Sequence, residues 1–282
     1  MADEVPLTPF VVSSLLNDSL SVISEEERHP WSPPCHMSFD KPLMRIWDDR
    51  SGSRPDTANR MESRSYRQPL STWEDRKRYL AIHADYTCWK KTPFISFTAS
   101  ARELQRIADT RPAYRGVKMI TVLNPNVRLA KGLPVIAMEP EMRHYGVADP
   151  YKRSNEFYKD EFLCLWEVTE SEVVGHWQWN DLVRNSCWYE EIVSPAFEKH
   201  ERSFVRQTDG EALNMSTLLD ALPDDTWPSF ESDSPGPYTD WDTSSEEHEV
   251  YFLDEYDSYD SYDEVEEANA TDDMFKVLEG DW

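Results

Sequence analysis

The acidic residues of this 282-residue chain are unevenly spread, and the step in their density decides where a folded domain can lie. Residues 201–282 carry 25 Asp and Glu against 3 Lys and Arg, a net of −22, whereas residues 1–200 carry 29 against 26, a net of −3. The formal charge of −25 therefore belongs almost wholly to the last third of the chain. Residues 221–245 are rich in Pro, Ser, Asp and Thr, and Asp254–Glu264 is a Tyr-Asp-Ser repeat. Such a composition cannot bury enough apolar surface to offset the entropy of ordering, so residues 201–282 are expected to form an acidic, largely disordered tail. The body has no basic excess, which argues against duplex nucleic acid and anionic membranes as partners.

No run of 18 or more apolar residues exists to span a bilayer. The opening Met1-Ala-Asp-Glu-Val-Pro lacks the basic and apolar regions of a secretory signal. Cys35, Cys88, Cys164 and Cys187 are far apart and form no CxxC pair, so they read as reduced, mostly buried thiols. An intracellular protein, cytoplasmic or nuclear, is the expectation.

Residues 1–40 form a flexible Pro-containing lead-in, with a short apolar stretch at 10–16 able to dock a helix. The body, residues 41–200, begins with the apolar run Leu43–Trp47, which fits a strand around Arg45. Ser71 and Glu74 have capping-box spacing, and Tyr79, Leu80, Ile82, His83 and Tyr86 continue in helical period, predicting a helix over 72–86. A second box, Ser100 to Glu103, predicts a helix over 101–109. Strands are expected at 92–98, 117–123, 161–168 and 173–179 from their β-branched and aromatic residues. A last helix near 181–199 is expected to break at Pro195. Strands and helices do not alternate regularly, so the fold class is α+β, mixed strands with packed helices.

The motif inventory narrows the chemistry. There is no GxSxG elbow, Walker A, GxGxxG or HExxH, and only 8 Gly are present, too few for phosphate-cradling loops to be a theme. No histidine has metal-ligand spacing with cysteine, so no metal site is expected. His176 reads as a satisfied histidine, and Cys88 and Cys164 as inert thiols.

Arg45 in Leu43–Trp47, Ser96 and Thr98 in Pro93-Phe-Ile-Ser-Phe-Thr, and Glu161 opening Glu161-Phe-Leu-Cys-Leu stand in an order worth noting. They resemble the Arg–Ser–Glu constellation of the ADP-ribosyltransferase superfamily, in its cholera-toxin-like branch. Thr92-Pro-Phe-Ile-Ser-Phe-Thr-Ala-Ser and Trp177-Gln-Trp with Trp188-Tyr-Glu-Glu-Ile-Val-Ser-Pro-Ala-Phe also resemble an uncharacterised domain family of filamentous fungi. Together the resemblance covers about residues 42–200. It implies an ADP-ribosyltransferase-like fold and NAD as the substrate. Glu161 would be the catalytic carboxylate, Ser96 a positioning hydroxyl assisted by Thr98, and Arg45 a diphosphate clamp.

The residue types suit that chemistry. Breaking the nicotinamide–ribose bond passes through an oxocarbenium-like state that a carboxylate stabilises, and a guanidinium binds phosphate oxygens in pairs. Two departures stand beside the resemblance. The family's Ser-Thr-Ser reads Ser96-Phe97-Thr98, and Lys159 occupies the place where arginine-modifying members carry Glu or Gln. Hydrolysis of NAD, another acceptor, or no catalysis all remain open. The alternative is an inactive scaffold whose acidic tail recruits an unknown protein partner.

Overall fold

A computed structural model describes residues 7–17, 23–33, 37–85, 87–88, 90–152 and 158–220, with side chains to residue 207. Cys35, Tyr86, Arg153 and everything expected of residues 221–282, the tyrosine repeat included, lie outside the described residues.

The strands are β1 (Leu43–Trp47), β2 (Met61–Glu62), β3 (Phe94–Thr98), β4 (Met119–Leu123), β5 (Val135–Ala137), β6 (Glu161–Leu165), β7 (Glu167–Val168) and β8 (Val173–Gln178). Six of them form one sheet in the order β5-β6-β3-β1-β4-β8, every neighbouring pair antiparallel. With helices packed against an antiparallel sheet, the architecture is the α+β class that the pattern implied. β2 and β7 make a separate two-stranded ribbon, Met61 opposite Val168.

Apolar residues of both sheet faces are buried, which is why the strands read as continuous apolar runs rather than alternating ones. Met44, Ile46, Phe94, Leu163 and Leu165 belong to the larger core. It also takes in residues of α3 (Trp73–Ala84), α4 (Ala101–Thr110) and α6 (Met138–His144). Leu43, Ile95, Phe97 and Cys164 leave on the other side and pack with Met61, Leu123, Val135 and Val168. The lead-in joins the larger core through α1 (Pro9–Leu16), whose Val12 and Leu16 are buried, and through Trp31. The short α2 (Glu25–Arg28) is closed by a full capping box from Ser24 to Glu27.

Local chemistry explains where the structure departs from the sequence pattern. The cap of α3 is Thr72 rather than Ser71: its hydroxyl accepts from Asp75 N and donates to Asp75 Oδ2. Two overlapping Ser/Thr-to-acid spacings competed for that cap, and the second won. At α4 Ser100 caps Glu103 N as its spacing implied. The strand expected over 161–168 is cut at Trp166, whose φ of 61° turns the chain out of β6 and into β7.

Pro195 does not break a helix. After α5 (Pro125–Ala130), met earlier in the chain, and α7 (Trp179–Leu182), the chain makes a π-helical turn over Tyr189–Val193 that feeds α8 (Ser194–Asp220). Proline lacks the amide that an α-helix would use there, and a widened turn before it accommodates the missing bond. Contacts divide the chain after Val205, and of the unit that begins at Arg206 only the α8 stretch to Asp220 is described. Among the described residues no helix is long and apolar enough to cross a membrane.

Buried arginines tie the segments together. Arg128 on α5 donates to the carbonyls of Pro134, Leu165 and Glu167 and pairs with Glu172 at 2.9 Å, both side chains having no exposure. Arg128→Met leaves the Glu172 charge and three carbonyls stranded, and is expected to cost about 3–5 kcal/mol. Arg184→Ala, removing an exposed charge paired with Asp181, should change stability by less than about 1 kcal/mol. Urea unfolding of both variants checks this.

Candidate active site

The site begins with α3. Leu80, His83 and Ala84 share its buried face at helical spacing, which sets the His83 imidazole against β3. The edge of that ring meets Phe94, with centroids 5.3 Å apart. Both ring nitrogens are engaged: Nδ1 lies 3.1 Å from Thr92 Oγ1 and Nε2 lies 2.6 Å from Ser96 Oγ. A neutral imidazole satisfies this arrangement by donating from one nitrogen and accepting at the other.

Burial holds His83 neutral, and the positive charges of Arg64 and Arg45 add to that effect, lowering its pKa to about 3. Glu161 Oε1 stands 4.0 Å from Nε2. At that pKa the ring is uncharged, so the contact is not an ion pair. Nor is His83 poised to activate Ser96 as a nucleophile: a general base works best with a pKa near the working pH. Its Nδ1 also faces a hydroxyl rather than the carboxylate of a catalytic triad. The ring instead fixes the direction of the Ser96 hydroxyl.

Sheet register brings the sequence candidates together in part. Thr98 pairs with Glu161 across β3 and β6, and Ser96 with Leu163. Ser96, Thr98 and Glu161 therefore leave the sheet on one side, that of the larger core, and all three are buried. Thr98 Oγ1 accepts from Ser100 N at 3.1 Å and so anchors the turn into α4.

Arg45 is placed differently. Met44 and Ile46 face the larger core, so Arg45 leaves β1 with Leu43 on the opposite side. β1 and β3 pair at one position, Met44 with Thr98. Beyond it the Arg45 guanidinium bridges them, Nη1 donating to Ser96 O at 2.8 Å and Nε to Ser53 O at 3.3 Å. With no exposure and with two carbonyls to hold, Arg45 meets Ser96 through the backbone, and its geometry is that of a strand tie rather than a phosphate clamp.

Tyr158 is fully buried with its hydroxyl donating to Asp149 at 2.7 Å, and Tyr114 is 71% exposed with Arg50 against its ring. Lys159, two residues before Glu161, is exposed. The sequence reading gave His83 no role in the site, although its place beside Leu80 and Ala84 on the apolar stripe marked a polar residue aimed inward. The pairing expected of His176 is seen at Nδ1, 2.8 Å from Thr121 Oγ1, while its Nε2 is buried with no partner. Of the cysteines, Cys164 is buried, its thiol pushed by burial up to about 12, Cys88 is half-buried and Cys187 is exposed.

A family model described as "Domain of unknown function (DUF7587)" matches residues 40–182, from just before β1 to the end of α7, and so contains the whole cluster. No curated protein and no solved structure matches the chain.

The neutral His83 has a measurable signature. Its pKa falls from 6.5 to about 3 on folding, so between those values the unfolded chain binds a proton that the folded chain refuses. Stability from this site is complete above 6.5 and is lost as pH drops toward 3, at up to about 1.4 kcal/mol per pH unit. Urea unfolding across that window should show the slope, and His83→Gln should remove its share.

Proposed function

The chain belongs to that family, whose description names no activity, and we propose that its Ser96–His83–Glu161 cluster binds NAD and cleaves the nicotinamide–ribose bond. The observation that carries this reading is a buried carboxylate beside a hydroxyl locked in direction by a neutral histidine. As the glycosidic bond stretches, positive charge grows on the ribose, and the bonding pair leaves with nicotinamide. Glu161 stabilises that charge, the more so because buried surroundings screen it little. Ser96 holds the sugar in register with the carboxylate.

The low pKa of His83 serves the same end. A cationic ring at 4.0 Å from Glu161 would compete for the carboxylate and repel the developing oxocarbenium ion. A neutral ring does neither. The ribosyl group then passes to water or to an acceptor. With Lys159 in the position that faces the acceptor in the resembling family, we assign water or an uncharged group rather than a guanidinium. The setting we infer is intracellular, cytoplasmic or nuclear, where Cys88, Cys164 and Cys187 stay reduced.

One observation favours a second reading, a non-catalytic scaffold whose acidic tail recruits a basic protein partner. Arg45, the clamp of the resembling family, is consumed in tying β1 to β3. Nicotinamide release from NAD by the full chain separates the readings. Glu161→Gln, which keeps shape and removes charge, should lower release by about 100-fold or more while leaving the unfolding transition in place. Release at the parent rate from Glu161→Gln would refute the assignment, and no release from the parent chain would favour the scaffold.

A further inference from the structure

The turn joining β2 to α3 contains two polar groups that the fold leaves unanswered. Ser63 is buried, and its Oγ has no hydrogen-bond partner. Four residues on, Arg67 Nε and Nη2 are also buried without one. Arg67 sits at φ 58°, a left-handed backbone position that side chains disfavour. Its guanidinium lies over the Tyr66 ring, 4.9 Å from the centroid.

The chemistry of these orphans indicates what is missing. A guanidinium donates only and stays charged at every physiological pH. A hydroxyl can donate too, so one acceptor-rich partner could serve both. A half-buried cation with two N–H groups shut away from water calls for an anion. The surroundings carry the same sign: Arg64 reaches across to Lys90, Nη2 donating to its carbonyl at 3.2 Å, and Lys90 and Lys91 follow on the same segment. The Glu167 carboxylate is already engaged by the Tyr66 hydroxyl at 3.3 Å and by Arg60 at 3.9 Å.

We propose that the turn Ser63–Arg67 is a binding site for a phosphate-bearing ligand, with Arg67 and Ser63 as donors and Arg64, Lys90 and Lys91 supplying the field. The turn adjoins the cluster described above. Ser65 N donates to Thr92 O at 3.1 Å, Thr92 Oγ1 is the partner of His83 Nδ1, and Arg64 is one of the charges that keep His83 neutral. A diphosphate reaching from this turn would lead toward Glu161, and it fills the role that Arg45 is not placed to take. The dinucleotide identity of the ligand rests on the NAD reading; the anion site does not.

Calorimetric titration of the full chain with inorganic pyrophosphate tests the site. The parent should bind, Arg67→Gly should weaken binding about tenfold or more, and Ser63→Ala should weaken it less. Glycine suits φ 58°, so Arg67→Gly should melt no lower than the parent, which separates lost binding from lost folding. Arg184→Ala, removing an exposed charge in the turn after α7, should bind as the parent does. In nicotinamide release, Arg67→Gly should raise KM for NAD more than it lowers kcat. No pyrophosphate binding, or binding that Arg67→Gly leaves unchanged, overturns the anion site. Arg67-dependent pyrophosphate binding without any nicotinamide release keeps the site and overturns the NAD reading alone.

Discussion

Fully buried guanidinium groups hold this fold in register, because they answer backbone carbonyls that the sheet itself does not. Arg45 joins β1 to β3 and to Ser53 where the ladder between the strands has ended. Arg76 on α3 collects Leu70 O and His29 O, pairs with Glu26 at 2.6 Å, and lies over Trp31, fastening the lead-in to the body. Arg128 gathers the chain around its exit from β6. A buried carbonyl without a donor is costly, and a guanidinium offers five donors in a fixed fork. Arginine donation thus supports irregular connections in a chain with only 8 Gly, beside the positive-φ positions at Gly116, Gly132 and Gly146.

The same device shapes the candidate site. Arg45 and Arg64 place positive charge near His83, and together with burial they keep its ring neutral. The neutral ring in turn fixes Ser96, two residues along β3 from Thr98, the residue paired with Glu161. Burial sets the protonation state beside Glu161, and Arg45, the residue that ties β1 to β3, reinforces it.

Much of this fold could be read from the sequence. The β-branched runs marked β3, β4, β6 and β8, and Ser100 marked the start of α4. The side of the sheet on which Arg45 leaves could not be read. Leu43-Met-Arg-Ile-Trp is apolar on both sides of the arginine and buried on both faces, so period two carries no sign there. Trp166 likewise reads as one more strand residue, and nothing in its type announces a positive φ. The resemblance singles out Ser96, Thr98 and Glu161, which the structure places buried on one side of the sheet, whereas His83 had to be found by its contacts. The Ser63 and Arg67 orphans have no sequence signature, since a partnerless group is a property of packing.

The most direct test of the account is nitrogen-15 NMR of the His83 ring in the full chain, assigned with His83→Gln, at a pH below the ordinary histidine value of 6.5. The account predicts a neutral imidazole there, with both ring nitrogens shifting as NAD is added. An imidazolium signature at that pH, or ring signals unmoved by saturating NAD, would contradict it.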